Sequence, residues 1–312
     1  MSPGDDILKI QSYGLLDRLL VDKTTKKYLI WGTDAYTSLG SNYERDKEIT
    51  PSLIAGMNAG VIKTRARKAM EMQNERTRQH AEVFTPLWVC EMMNDHADEV
   101  WFGKKEVFFK NGKQTASVKF PKDKTWQQYV DSRRMEITCG EAPYIVSRYD
   151  VATGEMIPIK KRIGFLDRKL RVVTENAADE KEWIKWTIRA FQSSYGYEFQ
   201  GDNVLIARVN LFMTFEEYMA EAFHRDPSKE ERRKILNIIT WNIWQMDGLT
   251  GIIPYCKAEE QNHQMNLNEW LGIENGIAND KEEVNRQPRC RIYDWRAGDS
   301  VEYLRLAEGM YR

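Results

Sequence analysis

The sequence predicts an α/β protein built around a parallel sheet. Three segments have the character of strands, within "RRMEITCGE", "YGYEFQ" and "NIWQMDG", and amphipathic helical patterns separate them along the chain. Strands that alternate with helices form parallel sheets, because each helix returns the chain to the edge where the previous strand began. The chain has 312 residues, of which 42% are hydrophobic, and this is enough for a large core.

The first 80 residues are predicted to form an N-terminal segment ahead of a main domain over residues 81–312. Residues 1–50 read as a small mixed segment, and residues 51–80 as a helix that begins at Pro51 behind an N-cap at Thr50. This helix would carry a positive face. Arg65, Arg67 and Lys68 on that face are candidate contacts to DNA phosphates, although a solvated helix surface is the commoner explanation for such a charge run.

The main domain opens with a predicted helix, capped by Thr85 with Pro86 at its first position. A hairpin follows, with Asn111-Gly112 as its turn. Further along, the basic stretch "RIGFLDRKLR" at residues 162–171 predicts an amphipathic helix with an exposed basic face, with contact to DNA phosphates as the alternative.

Composition and charge exclude several classes of protein. The 46 basic and 47 acidic residues give a net charge of -1, so nucleic-acid binding would require a local patch. The four cysteines show no Cys-x-x-Cys spacing, so no metal site is expected. The sequence has no apolar run that could span a bilayer and no secretory core at its start. We therefore expect a cytoplasmic protein with free thiols and no membrane partner.

Three predicted strand ends carry residues that suit a nucleoside ligand. Ligands of open parallel sheets bind beyond the carboxyl ends of the strands. Glu136 ends the first strand, and Gly140 in the following turn permits a close backbone approach. Glu198 lies just past the second strand, where a carboxylate can accept hydrogen bonds from both hydroxyls of a ribose. Asp247 follows the third strand.

These residues occur in an order that resembles the DNA adenine methyltransferases of restriction-modification systems. The relevant class places its S-adenosylmethionine-binding half before its catalytic half. Phe84-Thr85-Pro86 matches the family's Phe-Thr-Pro motif, and Glu136 to Ala142 stands where the family has Asp-Pro-Ala-Cys-Gly-Ser-Gly. The acid, the cysteine and the first glycine of that motif match, whereas Ile137 replaces its proline and Ala142 its last glycine. The resemblance covers residues from about Val83 to Asp247.

The resemblance implies a Rossmann-like core of the class I S-adenosylmethionine-dependent methyltransferases, with a small mixed N-terminal segment. It implies that Glu198 binds the ribose of the cofactor and Asp247 its adenine. The residues that the resemblance assigns to S-adenosyl-L-methionine are Phe84, Thr85, Pro86, Glu136, Thr138, Gly140, Glu198 and Asp247.

The family's catalytic segment, Asn-Pro-Pro-Tyr or Asp-Pro-Pro-Tyr, does not occur in this sequence. That segment orients the target amine for methyl transfer. No catalytic residue is therefore assigned, and the chain alone is expected to be inactive. The sequence is compatible with a truncated, a split or a degenerate methyltransferase.

Two functions follow from these alternatives. The first is the cofactor-binding part of a DNA adenine methyltransferase, whose partners are DNA and a second chain that carries the catalytic and target-recognition parts. The second is a catalytically inactive, methyltransferase-like interaction or regulatory protein. Retention of Glu198 and Asp247 favours the first, whereas Ala142 and the missing segment favour the second. No complete phosphate-binding glycine motif supports a nucleotide-binding enzyme of another class.

Overall fold

A computed structural model describes residues 3–68, 85–255 and 288–309 of the chain. Its α-helices are α1 Pro3–Ser12, α2 Leu16–Leu20, α3 Pro51–Ile54, α4 Leu87–Phe102, α5 Trp126–Asp131, α6 Phe165–Asn176, α7 Glu180–Gln192, α8 Gly201–Phe223, α9 Lys229–Asn242 and α10 Tyr303–Gly309. Its strands are β1 Phe109–Lys110, β2 Lys113–Gln114, β3 Arg134–Glu136, β4 Ser194–Glu198, β5 Ile243–Gln245, β6 Arg291–Asp294 and β7 Asp299–Glu302.

The predicted parallel sheet is confirmed, and the fold is mixed α/β. Three strands pair in the order β3-β4-β5, and both pairings are parallel. Helices α6 and α7 connect β3 to β4, and helices α8 and α9 connect β4 to β5. All five residues of β4 are buried, as expected for the central strand of a parallel sheet with both faces covered.

A single hydrophobic core joins the N-terminal residues to the helices around the sheet. Ile7 of α1 and Leu19 of α2 are buried in the same cluster as Phe212 of α8 and Ile239 of α9. A smaller cluster lies on the sheet beneath the antiparallel β6–β7 hairpin. The domain boundary predicted at residue 80 lies outside the described residues and stays a prediction.

The prediction of one helix over residues 51–80 is wrong for residues 51–68, the part of that range that the structure describes. Residues 51–68 contain only α3 and two short 3-10 turns, at Gly56–Asn58 and Arg65–Arg67. Thr50 makes no side-chain cap hydrogen bond, and Gly56 adopts a φ of +60°, which ends the helical path.

The next predicted helix is present as α4, but its cap differs from the prediction. The helix begins at Leu87, Pro86 occupies the N-cap position, and no side chain caps it. The hairpin prediction is confirmed, because β1 pairs antiparallel with β2. Asn111 and Gly112 both take positive φ, +51° and +70°, as a two-residue type I′ turn requires.

The exposed basic face predicted for residues 162–171 is also wrong, because two of its cations are buried on α6. Arg168 pairs with Asp98 of α4 at 2.6 Å, and Lys169 donates to the Ser193 hydroxyl at 2.7 Å. Asp98 and Ser193 lie outside α6 and far from it in sequence, so the charge pattern of residues 162–171 cannot indicate that they pair with Arg168 and Lys169. Among the residues that the structure describes, no helix is both long and apolar enough to cross a membrane.

Candidate functional site

The candidate site lies where the three parallel strands end. Glu136 is the last residue of β3 and Glu198 the last of β4, while Asp247 lies two residues beyond β5. Glu136 pairs with Gly196, and Glu198 pairs with Gln245, so the carboxyl ends share one edge of the sheet. The sequence-predicted acids therefore meet at the edge where parallel sheets bind ligands.

Glu198 is buried, with 8% of its surface exposed, and its carboxylate accepts backbone hydrogen bonds from both sides of the site. Its Oε2 accepts from the Gly140 N–H at 2.9 Å. Its Oε1 accepts from the N–H groups of Phe199 and Gln200, at 2.9 and 3.2 Å. The side chain thus ties the loop after β3 to the start of α8.

Glu136 lacks such support. Its Oε2 is buried and accepts no hydrogen bond from the part of the chain that the structure describes. Burial, together with the nearby charge of Glu198, raises the pKa of Glu136 well above its usual range. A buried acceptor with no donor suits a ligand that brings an N–H group or a positive charge.

The loop between the two acids has an unusual backbone. Thr138, Gly140 and Ala142 all adopt positive φ, at +51°, +55° and +66°. A β-branched residue such as threonine is an outlier there, and such a conformation costs on the order of 1–3 kcal/mol. The Cys139 N–H donates to the Tyr197 carbonyl at 2.8 Å and holds this loop against β4. Strained backbone of this kind clusters at ligand sites.

The close fit of this loop depends on Gly196 in the middle of β4. A Cβ at this position would lie 2.9 Å from Ile145 Cδ1 and 3.2 Å from the Cys139 Sγ. A larger residue would force the Ile145 and Cys139 side chains to move, so Gly196 favours the close approach of the loop after β3.

The start of α4 lies beside Glu136. The Cys90 thiol approaches the Thr85 carbonyl at 3.8 Å, and Cys90 is buried one turn into the helix. Burial, and then the charge of Glu136, raise the pKa of this thiol to about 12. The structure therefore brings Thr85 and Pro86 towards the predicted site, while Phe84 lies outside the described residues.

Asp247 reaches the same edge but closes a turn of its own. Its Oδ1 accepts from the Leu249 N–H at 2.9 Å, and its own N–H donates to Ile252. The preceding residue, Met246, donates its N–H to the Glu198 carbonyl at 3.0 Å, which holds the turn beside β4.

Sequence reasoning missed Gln245 and the segment that it anchors. Gln245 Oε1 accepts from the Ile30 N–H at 3.0 Å, and its Nε2 donates to the carbonyls of Ile30 and Phe199. A Cβ on Gly201 would lie 1.8 Å from the Ile30 carbonyl oxygen, so the segment packs directly on the start of α8. The sequence does show a polar residue, Gln245, at the end of a buried strand, which indicates a hydrogen-bond partner. That partner, Ile30, lies 215 residues away, so the sequence does not identify it.

The residues predicted to contact nucleic acid differ in their exposure to solvent. Lys68 is buried, with its ammonium 3.3 Å from the buried Asp202 carboxylate, so the prediction that it offers an exposed charge is wrong. Arg67 is exposed and Arg65 is half-buried. The Arg65 N–H donates to the buried Glu141 carboxylate at 2.7 Å, which places this basic turn behind the loop after β3.

Comparison with known proteins found no matching family model, no matching curated protein and no matching solved structure. The geometry at the strand ends and the sequence motifs that lie there are therefore what indicates a function.

Proposed function

We propose that this chain is the S-adenosylmethionine-binding part of a site-specific DNA adenine methyltransferase. It would have a Rossmann-like methyltransferase core and serve a restriction-modification or phage-defence system in the cytoplasm. One observation carries the proposal: the parallel order β3-β4-β5 gathers Glu136, Gly140 and Glu198 at one edge, where Glu198 accepts directly from the Gly140 N–H. Two motifs that are distant in sequence, at Glu136–Ala142 and at Glu198, thus lie side by side, which supports the proposal.

The chemistry of these residues suits this cofactor. S-adenosylmethionine carries a sulfonium and an ammonium group, and the neighbouring carboxyl groups of the half-buried Glu136 and the buried Glu198 favour a cation. The unpartnered Oε2 of Glu136 would accept from the ammonium group. Glu198, whose carboxylate also accepts from three backbone N–H groups, would accept from a ribose hydroxyl, and Asp247 from the adenine amino group. The cofactor supplies an electrophilic methyl group, and the chain's own residues bind and orient it.

Catalysis would require a second chain. Methyl transfer needs the target amine to be held against the methyl group, and the Asn-Pro-Pro-Tyr type of segment that does this is missing from the sequence. The isolated chain should therefore transfer no methyl group to DNA. Tritium transfer from labelled cofactor to DNA by this chain alone would contradict that statement.

Calorimetric titration with S-adenosylmethionine tests the proposal. We expect wild type to bind and Asp247→Asn to bind more weakly. The amide retains an acceptor for the turn but loses the charge, and one hydrogen bond to a charged group is worth about 1.5–3 kcal/mol, or roughly 10- to 100-fold in affinity. Glu155→Gln, on an exposed residue away from the strand ends, serves as the matched control. Equal affinities for all three proteins would remove Asp247 from the site.

A second candidate is a catalytically inactive interaction protein on the same scaffold. It is favoured by hydrogen bonds within the chain that already occupy polar groups at the strand ends. Glu198 accepts from three backbone N–H groups, and Gln245 accepts from the Ile30 N–H and so holds Ile30 at the end of β5. On this alternative the acids serve the fold alone. Folded wild-type protein that gives no binding heat with S-adenosylmethionine would decide in its favour.

A further inference from the structure

The outer face of α4 is an acidic, amphipathic surface. Its inner face buries Cys90, Asn94 and Asp98, whereas Trp88 and Met92 on the outer face are 66% and 55% exposed. Carboxylates follow beside them at intervals of four residues. We call this surface the acidic ridge, and it comprises Trp88, Glu91, Met92, Asp95 and Glu99.

A groove of opposite charge runs between α7 and the start of α9. It encloses about 480 Å³, and its floor is formed by the half-buried Ile184 and Ile188. Asp131 and Arg189 also line it, but they pair with each other. We call this surface the basic groove, and it comprises Lys181, Ile184, Lys185, Ile188 and Lys234.

The two surfaces match in spacing as well as in charge. On α4 the carboxylates recur every four residues, and on α7 Lys181 and Lys185 are separated by the same interval. Four residues of helix span about 6 Å, so the two rows have the same repeat. The apolar pairs, Trp88 with Met92 and Ile184 with Ile188, also share this repeat.

We propose that two copies of this chain associate by docking the acidic ridge of one copy into the basic groove of the other. Trp88 would enter the groove as the apolar anchor, the role that large aromatic residues most often have at interfaces. Carboxylates of the ridge would meet ammonium groups of the rim. The contact is heterologous, and two copies make it once in an open pair or twice in a two-fold dimer.

Asp95 of the ridge already pairs with the buried Arg168 at 2.7 Å, so Glu91 and Glu99 supply the charge for this contact. Glu99 pairs with Lys105 only at 3.8 Å, and the Lys105 side chain is 78% exposed, so this pair contributes little. Burial and then the neighbouring Asp95 carboxylate raise the pKa of Glu91, whereas Arg168 opposes this shift.

One aromatic side chain, Trp186, also lines the groove, and its ring lies 5.7 Å from the Lys185 ammonium. Such a ring suits the indole of Trp88 as well as a nucleic-acid base, so competition with a duplex is part of the test. Aliphatic side chains flanked by cations suit an apolar helix face flanked by acids, and the acidic ridge is such a face on this chain itself.

Sedimentation velocity with complementary charge-reversal variants tests the contact. The groove variant is Lys185→Glu with Lys234→Glu, and the ridge variant is Glu91→Lys with Glu99→Lys. The control, Lys160→Glu with Lys161→Glu, makes the same charge change on exposed residues outside the groove. Circular dichroism and melting temperature establish that each variant is folded.

We expect the weight-average sedimentation coefficient of wild type and of the control to rise with protein concentration. Salt should weaken this association, since the Debye length falls from about 10 Å at 0.1 M to about 3 Å at 1 M ionic strength. Each reversal variant alone should lose at least tenfold in association constant. A mixture of the two should associate again, because the intact ridge of one variant meets the intact groove of the other and the two reversed surfaces also carry opposite charges.

Three results would overturn the proposal. The first is wild type that remains monomeric at all concentrations. The second is a pair of reversal variants that associate as strongly as wild type when alone. The third is a mixture that stays monomeric although both variants are folded. Addition of a 20-base-pair duplex to the wild-type protein provides a further arm, and competition of the duplex with self-association that depends on Lys185 and Lys234 would assign the groove to nucleic acid instead.

Discussion

Replacement of Glu198 should destabilise the folded chain as well as any ligand complex. Its two carboxylate oxygens accept three backbone N–H groups, from Gly140, Phe199 and Gln200, at 2.9, 2.9 and 3.2 Å. Glu198→Ala removes the acceptor of all three N–H groups at a position where the native side chain is buried, with 8% of the residue exposed. Glu198→Gln can keep the two bonds at Oε1, but it turns an NH₂ group towards the Gly140 N–H.

The expected magnitudes follow from this count. A hydrogen bond to a charged group contributes about 1.5–3 kcal/mol, and the three bonds share one acceptor group, so their energies do not add fully. We expect Glu198→Ala to lower the free energy of unfolding by about 3–5 kcal/mol, and Glu198→Gln by about 1.5–3 kcal/mol.

Urea unfolding followed by tryptophan fluorescence and by circular dichroism measures these differences, provided that the two probes give coincident transitions. Glu155→Ala, at an exposed position, supplies the baseline. An alanine variant that loses less than about 1 kcal/mol, or that loses no more than the glutamine variant, would refute the view that Glu198 holds the strand ends together.

Three further predictions test other parts of the chain. Thr138→Gly should raise the free energy of unfolding by about 1 kcal/mol in urea titrations, because glycine adopts the φ of +51° without a side-chain clash. Burial raises the pKa of Asp167 from 3.8 to about 6, so its contribution to stability is present at low pH and is lost as the pH rises from about 4 to about 6. Asp167→Asn should therefore gain up to about 3 kcal/mol relative to wild type across that window, and a constant difference would contradict this. Lys68→Ala should cost about 3 kcal/mol because it removes a buried cation that pairs with Asp202, although Tyr36 still donates to that carboxylate; Arg67→Ala should leave stability unchanged and flatten the salt dependence of any DNA binding in filter assays.

Local patterns predicted the elements whose cause is itself local. The alternation of strands and helices indicated β3, β4 and β5 and their parallel pairing, and Asn111-Gly112 specified its hairpin because both residues tolerate left-handed backbone. Order along the chain also placed Glu136 and Glu198 at one edge, since parallel strands end together.

The errors arose where a distant partner determines the environment of a residue. Arg168 and Lys68 look like surface cations within their own stretches, but Asp98 and Asp202 on other helices neutralise them inside the protein. A helical charge pattern indicates which residues share a face of the helix, but it gives no information about what that face packs against. Gln245 was missed for the same reason.

The contrast between the two acids is the strongest argument that the strand ends do more than hold the fold. Glu198 gains three backbone hydrogen bonds, so its burial is explained by structure alone. Glu136 has a buried oxygen with no donor among the described residues and a pKa raised by burial beside a second acid. A glutamine or an apolar side chain would cost the fold less at that position, because burying an uncompensated carboxyl group is unfavourable. A group that destabilises the protein in which it lies, beside a strained loop at the ligand-binding edge of a parallel sheet, is best explained by a ligand that brings the missing donor.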